Sequence, residues 1–245
     1  MNFDYSAIIG VYDGIGNVEN ILTALHNQTI KPKDIMIWVN KNENREFSET
    51  YFREKYPNVQ IVQHNRNQGV YSRFAGAFLL QSEYIMVFDD DTIPGKLWAE
   101  NCYTTFQKTG VSILGARGIR VLPDCRHTAF GNENNTTELT EVDFVGHCWV
   151  YPRSLAHLLF NETSPNLMNG EDMHLSAASQ IHGNIKTYVP PQPNNNMDLH
   201  GSLKPSLGLE ATRLSMQDLN RHSNIRQGIT RHWINNGWKP ILWNL

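Results

Sequence analysis

The 245-residue chain has only three cysteines, no excess of positive charge and no apolar run long enough to cross a bilayer. Each scarcity excludes something. Cys102, Cys125 and Cys148 are odd in number and lack metal-ligand spacing, which argues against a disulfide framework or a zinc site and leaves three ordinary thiols. With 21 basic and 24 acidic side chains the formal net charge is −3, so no general attraction to nucleic acid or anionic membrane is expected. Met1-Asn2-Phe3-Asp4-Tyr5 lacks the basic region and apolar core of a secretory signal. The sequence therefore predicts a soluble, cytoplasmic chain with no transmembrane segment, peripheral to a membrane at most through what it acts on. Hydrophobic residues make up 40% and charged residues 18%, enough apolar material for one large domain over 1–245.

What is present is sharper. Tyr84-Ile85-Met86-Val87-Phe88 reads as a buried strand and ends in Asp89-Asp90-Asp91. Three adjacent carboxylates repel one another and must stay hydrated or paired. They make sense around a divalent cation such as Mn²⁺ or Mg²⁺, which takes oxygen ligands from one or two carboxylates plus substrate phosphates. At the carboxyl end of a parallel strand that is a metal–diphosphate site. The plainer alternative is a solvated acidic turn before Pro94.

The first half alternates strands and helices. Strands are expected at 6–12, 34–40, 59–62 and 84–88, with helices at 17–27, 48–55 and 70–80 between them. This order demands an α/β fold, a mostly parallel central sheet with right-handed crossovers and helices on both faces. After Asp91 a helix over 94–107, a strand over 111–114 and a polar loop or protruding hairpin over 124–140 are expected. A strand over 142–151 bends at Gly146. A helix over 171–182, a strand over 186–189 and helices over 207–219 and 224–235 complete the pattern.

Several segments, taken in order, resemble the inverting glycosyltransferases of the GT-A (Rossmann-like) fold, in particular the large family 2 type. Asn27-Gln28-Thr29-Ile30-Lys31-Pro32 is similar to that family's Q-T-x-x-P connection. Asn65-Arg66-Asn67-Gln68-Gly69 with Arg73 is similar to its N-x-G-x-x-x-A-R segment. Asp89-Asp90-Asp91 resembles its DxD motif, and Gly170-Glu171-Asp172 its E-D motif. Order and spacing agree over roughly residues 5–190. The run from Asp143 to Trp149 is also similar to domains of viral and bacterial sugar transferases. Two positions depart from the pattern: Tyr12-Asp13-Gly14 replaces the common Y-N-R/K, and Asn40 stands where many relatives carry aspartate.

The resemblance implies a nucleoside diphosphate sugar donor, most often a UDP-sugar, and a glycan or glycoconjugate acceptor. It also implies a small second sheet and C-terminal helices, with a nucleotide-binding half over about 1–115 and an acceptor-binding half over about 116–245. In that reading Asp91 contacts the metal, with Asp89 and Asp90 at the metal, its outer shell or the ribose. His200 adds a late imidazole ligand. Asp172 is the general base, because inversion needs a carboxylate opposite the leaving group. Glu171 holds the acceptor or tunes its neighbour, although acids at a helix start also suit the helix dipole. Arg73 pairs with the base or phosphate of the donor. Tyr12, Asp13 and Asn40 sit near strand ends on the ligand edge and are candidates for base and ribose contacts. His147 and Trp149 follow a glycine bend, where an exposed tryptophan would stack on a sugar ring; core packing is the competing reading. Trp233, Trp238 and Trp243 read as packing anchors, and Lys204 and Arg213 as groups that close over the diphosphate.

Two other classes compete. A nucleotidyltransferase would show a glycine- and basic-rich phosphate loop after the first strand, but Gly10-Val11-Tyr12-Asp13-Gly14-Ile15-Gly16 has no basic residue. A non-catalytic carbohydrate-binding domain gives no reason for two acidic clusters.

Overall fold

A computed structural model describes residues 3–131, 136–204 and 219–243. The N-terminal half forms as the pattern of apolar runs dictates. Strands β1 (Tyr5–Val11), β2 (Ile35–Val39), β3 (Gln60–Gln63) and β4 (Tyr84–Asp89) lie parallel in the order β3-β2-β1-β4. β1 and β2 are almost wholly buried, which explains their unbroken Ala-Ile-Ile and Ile-Met-Ile-Trp-Val runs. Helix α1 (Val18–His26) buries Val18, Ile21, Leu22 and Leu25 along one stripe. At about 1.5–3 kcal/mol each, those four side chains fasten the helix to the sheet. Helix α2 (Glu49–Lys55) starts at Ser48, whose hydroxyl accepts the Tyr51 amide.

Beyond β4 the sheet turns mixed. Strands β5 (Ser112–Val121), β6 (His127–Gly131), β7 (Thr140–Val142), β8 (Phe144–Pro152) and β9 (Lys186–Val189) extend it in the order β4-β8-β5-β9-β7, with β6 hanging from β5. β8 runs antiparallel to both β4 and β5. The small second sheet that the resemblance implies is thus a mixed extension of the first, joined through β8, with β9 parallel to β5. Helix α3 (Trp98–Thr109) packs on the face that carries α1. A 3₁₀ helix at Ser72–Leu79, a second at Arg153–Phe160 and helix α4 (Glu171–Gly183) cover the other face. Helix α5 (Leu219–Asn235) closes over α4, with Trp233 and Trp238 buried against Met173 and Phe144. Trp243 is 38% exposed and donates its indole N–H to the Leu122 carbonyl.

Two expected helices differ in form. The amides of Gly95 and Leu97 donate to the carbonyls of His200 and Asp198, so α3 begins at Trp98 instead of Pro94. The helix expected over 70–80 is a 3₁₀ helix, in which Gly76 lies almost directly on Met36, Ile8 and Trp38 of the sheet. The polar segment after Asp124 supplies β6, so its start is the protruding-hairpin alternative. The helix expected over 207–219 lies almost wholly outside the described residues, as does Arg213. Gln28 of the Q-T-x-x-P segment is buried, donating to the Gly95 carbonyl at 2.7 Å and accepting the Ala99 amide at 3.0 Å. That motif therefore ties α1 to the start of α3. The three cysteines are free and buried. Among the described residues no helix is long and apolar enough to cross a membrane.

Candidate active site

The carboxyl ends of β1, β2 and β4 form one edge, and the acid triplet sits on it. Asp89 is the last residue of β4 and lies beside Gly10 of β1. Carboxylate oxygens of Asp89 and Asp91 and a ring nitrogen of His147 all fall within 4.8 Å of one another. His147 arrives there through a β-bulge. Between the pairs Gly115–Trp149 and Arg117–Gly146, β8 spends two residues where β5 spends one. His147 takes up the extra residue in a left-handed conformation, φ 64°. Such backbone in a residue other than glycine is sparsely populated, and bulges of this kind re-aim side chains beside functional sites. Phe88 pairs with Cys148, so the next step along both strands sets His147 against Asp89.

The protonation tendencies in this group share one cause. Burial pushes Asp89 well above the carboxylate range, with Arg73 opposing and Asp91, Glu171 and Asp90 adding to the rise. Burial, then the Asp90 charge, raises Asp91 to about 6. Burial, reinforced by Arg117, lowers His147 to about 4 and leaves its imidazole neutral with a lone pair to give. Asp91, which no lysine or arginine pairs with among the described residues, Asp89, which Arg73 neutralises in part, and a neutral imidazole form a donor set that fits a hard divalent cation.

Asp90 points elsewhere. Its Oδ2 accepts the amides of Tyr12, Asp13 and Gly14 at 2.8, 3.0 and 2.7 Å. The approach is close enough that a Cβ on Gly14 would come within 2.6 Å of the Asp90 carbonyl. Asp90 thus holds the turn after β1.

Arg73, expected at the donor, is buried among the protein's own acids. Its Nη2 lies 2.9 Å from both Asp89 Oδ1 and Glu171 Oε1. The guanidinium stacks 5.0 Å from the Trp149 ring and 5.5 Å from Phe74. To reach Asp89 it crosses β1 at Gly10, where a Cβ would stand 2.4 Å from Arg73 Cδ. Trp149 is 2% exposed and meets Phe74 edge-on, so it is a core residue that walls Arg73 and offers no face to a sugar.

Glu171 and Asp172 begin α4, where the sequence places the start of a helix over 171–182. Asp172 Oδ1 accepts the Met173 amide at 2.8 Å, and Oδ2 pairs with Arg226 of α5 at 2.6 Å. Arg226 also donates to Asn169 at 3.0 Å and lies 5.4 Å from the Phe144 ring. Burial raises Glu171, opposed by Arg73 and reinforced by Asp172. Sequence reasoning missed Arg226. Its one available signal was a cation in an amphipathic helix following an acidic pair, and spacing alone does not match the two.

The remaining candidates divide. Tyr12 is 46% exposed at the end of β1 and open to a ligand. Asp13 accepts from Arg45 and Asn42 at 3.1 and 3.3 Å. Asn40 donates to the Gly69 carbonyl at 3.0 Å and accepts from the Gln68 amide and the Ser72 hydroxyl. It therefore pins the 67–72 segment to β2, and its amide is taken up by the protein. His200 is buried with Nε2 3.0 Å from the Pro193 carbonyl, and His147 is the imidazole grouped with the acids. Lys204 is exposed.

The sequence model described as glycosyl transferase family 2 matches residues 6–160, which span β1 to the 3₁₀ helix after β8. The chain belongs to that family. Helices α4 and α5 lie beyond the matched region. No curated protein matches the chain in sequence. Solved structures share the GT-A fold at low identity. The crystal structure of GalNAc-T7 with UDP, GalNAc and Mn²⁺ superposes with a TM-score of 0.60 at 12% identity, over 77% of this chain and 42% of that one. Residues 1–349 of S. aureus TarS give 0.55 at 13% identity, over 96% and 72%. The longer TarS chain gives 0.56 at 15% identity, over 95% and 43%. The chain thus spans less than half of GalNAc-T7 and of the longer TarS chain.

Proposed function

We propose that this family 2 member transfers a sugar from a nucleoside diphosphate donor, a UDP-sugar in the leading reading, to a hydroxyl of a glycan, glycolipid or glycoprotein acceptor, with inversion. The observation that carries the reading is the meeting of Asp89, Asp91 and His147 on the edge that also receives the acidic start of α4. Asp91, Asp89 and His147 would hold Mn²⁺ or Mg²⁺. The cation supplies positive charge against the departing diphosphate. Tyr12 would present its exposed ring to the nucleotide base.

In the transfer, the acceptor oxygen forms a bond to the anomeric carbon as the bond from that carbon to the diphosphate oxygen breaks. The bonding pair leaves with the diphosphate, and the hydroxyl proton passes to the Asp172 carboxylate. One displacement at carbon inverts the anomeric configuration. The hydrogen bonds to Met173 and Arg226 hold that carboxylate in one orientation.

The nucleotidyltransferase alternative loses support from Asp90. The amides after β1, which such enzymes use to cradle phosphate, are directed to its carboxylate.

The test is thermal unfolding of the full chain with UDP, GDP or dTDP, each with and without Mn²⁺. A nucleotide bound through the cation raises the melting temperature only when both are present. Asp91→Asn should abolish that shift and the release of nucleoside diphosphate from the matching donor. A wild-type melting temperature that no nucleotide and Mn²⁺ pair moves, or an Asp91→Asn protein with full turnover, refutes the proposal.

A further inference from the structure

Arg73 carries the strongest inference beyond that reading. One nitrogen of a buried guanidinium sits 2.9 Å from an acid of β4 and 2.9 Å from an acid of α4. Asp89 belongs to the group that fits a cation, while Glu171 begins the helix whose next residue is Asp172. Trp149 and Phe74 wall the guanidinium, and Gly10 leaves its stem a path over β1. A nucleotide ligand would need an open approach, which the 13% exposure of this side chain and its two carboxylate partners do not offer.

We propose that Arg73 is a positioning residue that joins the cation side of the site to the acceptor side. It fixes Asp89 and α4 relative to each other and at the same time opposes the bound cation electrostatically. The inference rests on the reading of Asp89, Asp91 and His147 as a cation site.

The two roles have opposite signs in measurement. Arg73 neutralises part of Asp89 and repels a dication a short distance away, so its charge weakens cation binding. Its bonds hold α4 in register with the metal side, so its geometry supports turnover. Glu171 competes with Asp89 for the same Nη2. Removing the Glu171 charge commits Arg73 to Asp89 and should weaken the cation further.

The experiment is calorimetric titration of Mn²⁺ into the full chain without donor, on the wild type, Arg73→Gln, Arg73→Lys and Glu171→Gln, with turnover measured alongside. Arg73→Gln should bind Mn²⁺ about tenfold more tightly and turn over on the order of 100-fold more slowly. Arg73→Lys keeps the charge and loses the planar fork, so Mn²⁺ affinity should stay near wild type while turnover falls. Glu171→Gln should bind Mn²⁺ several-fold more weakly. A residue with a merely structural role would lower Mn²⁺ affinity in every variant. Weaker binding by Arg73→Gln, or unchanged binding by Glu171→Gln, overturns the proposal. Arg73→Lys decides if Arg73→Gln does not fold: Mn²⁺ affinity near wild type with slower turnover supports the proposal, and weaker binding overturns it. A wild-type chain that takes up no Mn²⁺ overturns the cation site itself, an outcome distinct from either.

Discussion

Gly10→Ala perturbs the charged centre without touching a charged group. Gly10 lies within β1 with neighbours on both sides, β2 and β4. On backbone grounds alone alanine should be better there, since a glycine in a strand interior costs roughly 0.5–1 kcal/mol. Against that stands a contact of 2.4 Å between the new methyl and Arg73 Cδ. That distance lies well inside van der Waals contact, so something must move. The stem of Arg73 cannot swing freely, because its head is held at 2.9 Å by two carboxylates and lies against Trp149. Overpacking of this kind costs about 1–3 kcal/mol, and any lengthening of the buried ion pairs adds to it.

The net expectation is a loss of about 2 kcal/mol, or about 4–8 °C in melting temperature for a chain of this size. Urea unfolding followed by tryptophan fluorescence measures it, with the midpoint moving and the slope unchanged. A double-mutant cycle isolates the cause. In an Arg73→Ala background the same glycine substitution should cost nothing or stabilise slightly, giving a coupling energy of about 2 kcal/mol. A Gly10→Ala protein as stable as the wild type would refute the argument that Arg73 is clamped over β1. Equal losses in both backgrounds would refute the link to Arg73.

Two further outcomes follow from the same geometry. Asp90→Ala removes the acceptor of three amides and should cost about 2 kcal/mol, with Asp90→Asn recovering part; an Ala variant of wild-type stability in urea would show that the turn after β1 holds itself. His174 is buried between Tyr71 and Trp233, neither ring nitrogen has a partner among the described residues, and burial lowers it to about 4. The unfolded chain, with histidine near 6.5, then binds the extra proton between those values, so the contribution of His174 is complete above pH 6.5 and is lost as pH falls toward 4. His174→Phe should flatten the dependence of stability on pH in that window by up to about 1.4 kcal/mol per unit, and an unchanged slope would show that His174 does not titrate on unfolding.

The parallel half of the fold was legible because its signals are local. Apolar runs at β1, β2 and β4, an amphipathic stripe at α1 and acids at a strand end each declare themselves within a few residues. Long-range choices were not. His147 was favoured over His200 as the imidazole by a bulge that exists only where β8 meets β5, and no local pattern announces a left-handed histidine. The helix starts later than its apolar pattern predicts because Gly95 and Leu97, just before it, give their amides to a segment about a hundred residues away. Trp149, Asn40 and Arg73 were placed on the correct edge, yet each faces the protein. Residue type shows what a group can bind, and packing decides whether the partner is a ligand or another side chain. Gly10 fits a strand pattern in the sequence, while in the fold its lack of a side chain is what lets Arg73 cross.

The acids on this edge differ in how their charge is met, and the difference singles out one of them. Asp90 is met by three amides, Asp172 by Arg226 and an amide, and Asp89 and Glu171 share Arg73. Asp91 accepts the Thr92 hydroxyl at 3.2 Å, and among the described residues no lysine or arginine pairs with it. Even a half-buried carboxylate without a cationic partner is costly, and it is raised toward neutrality unless positive charge arrives. Here the residues best placed to respond are His147, whose imidazole is neutral, and Asp89, whose Oδ1 is bound to Arg73. Neither can neutralise Asp91. A divalent ion shared by the three would supply the missing charge without displacing Arg73 or Arg226. The proposed cation would bring to Asp91 the same positive charge that would meet a diphosphate.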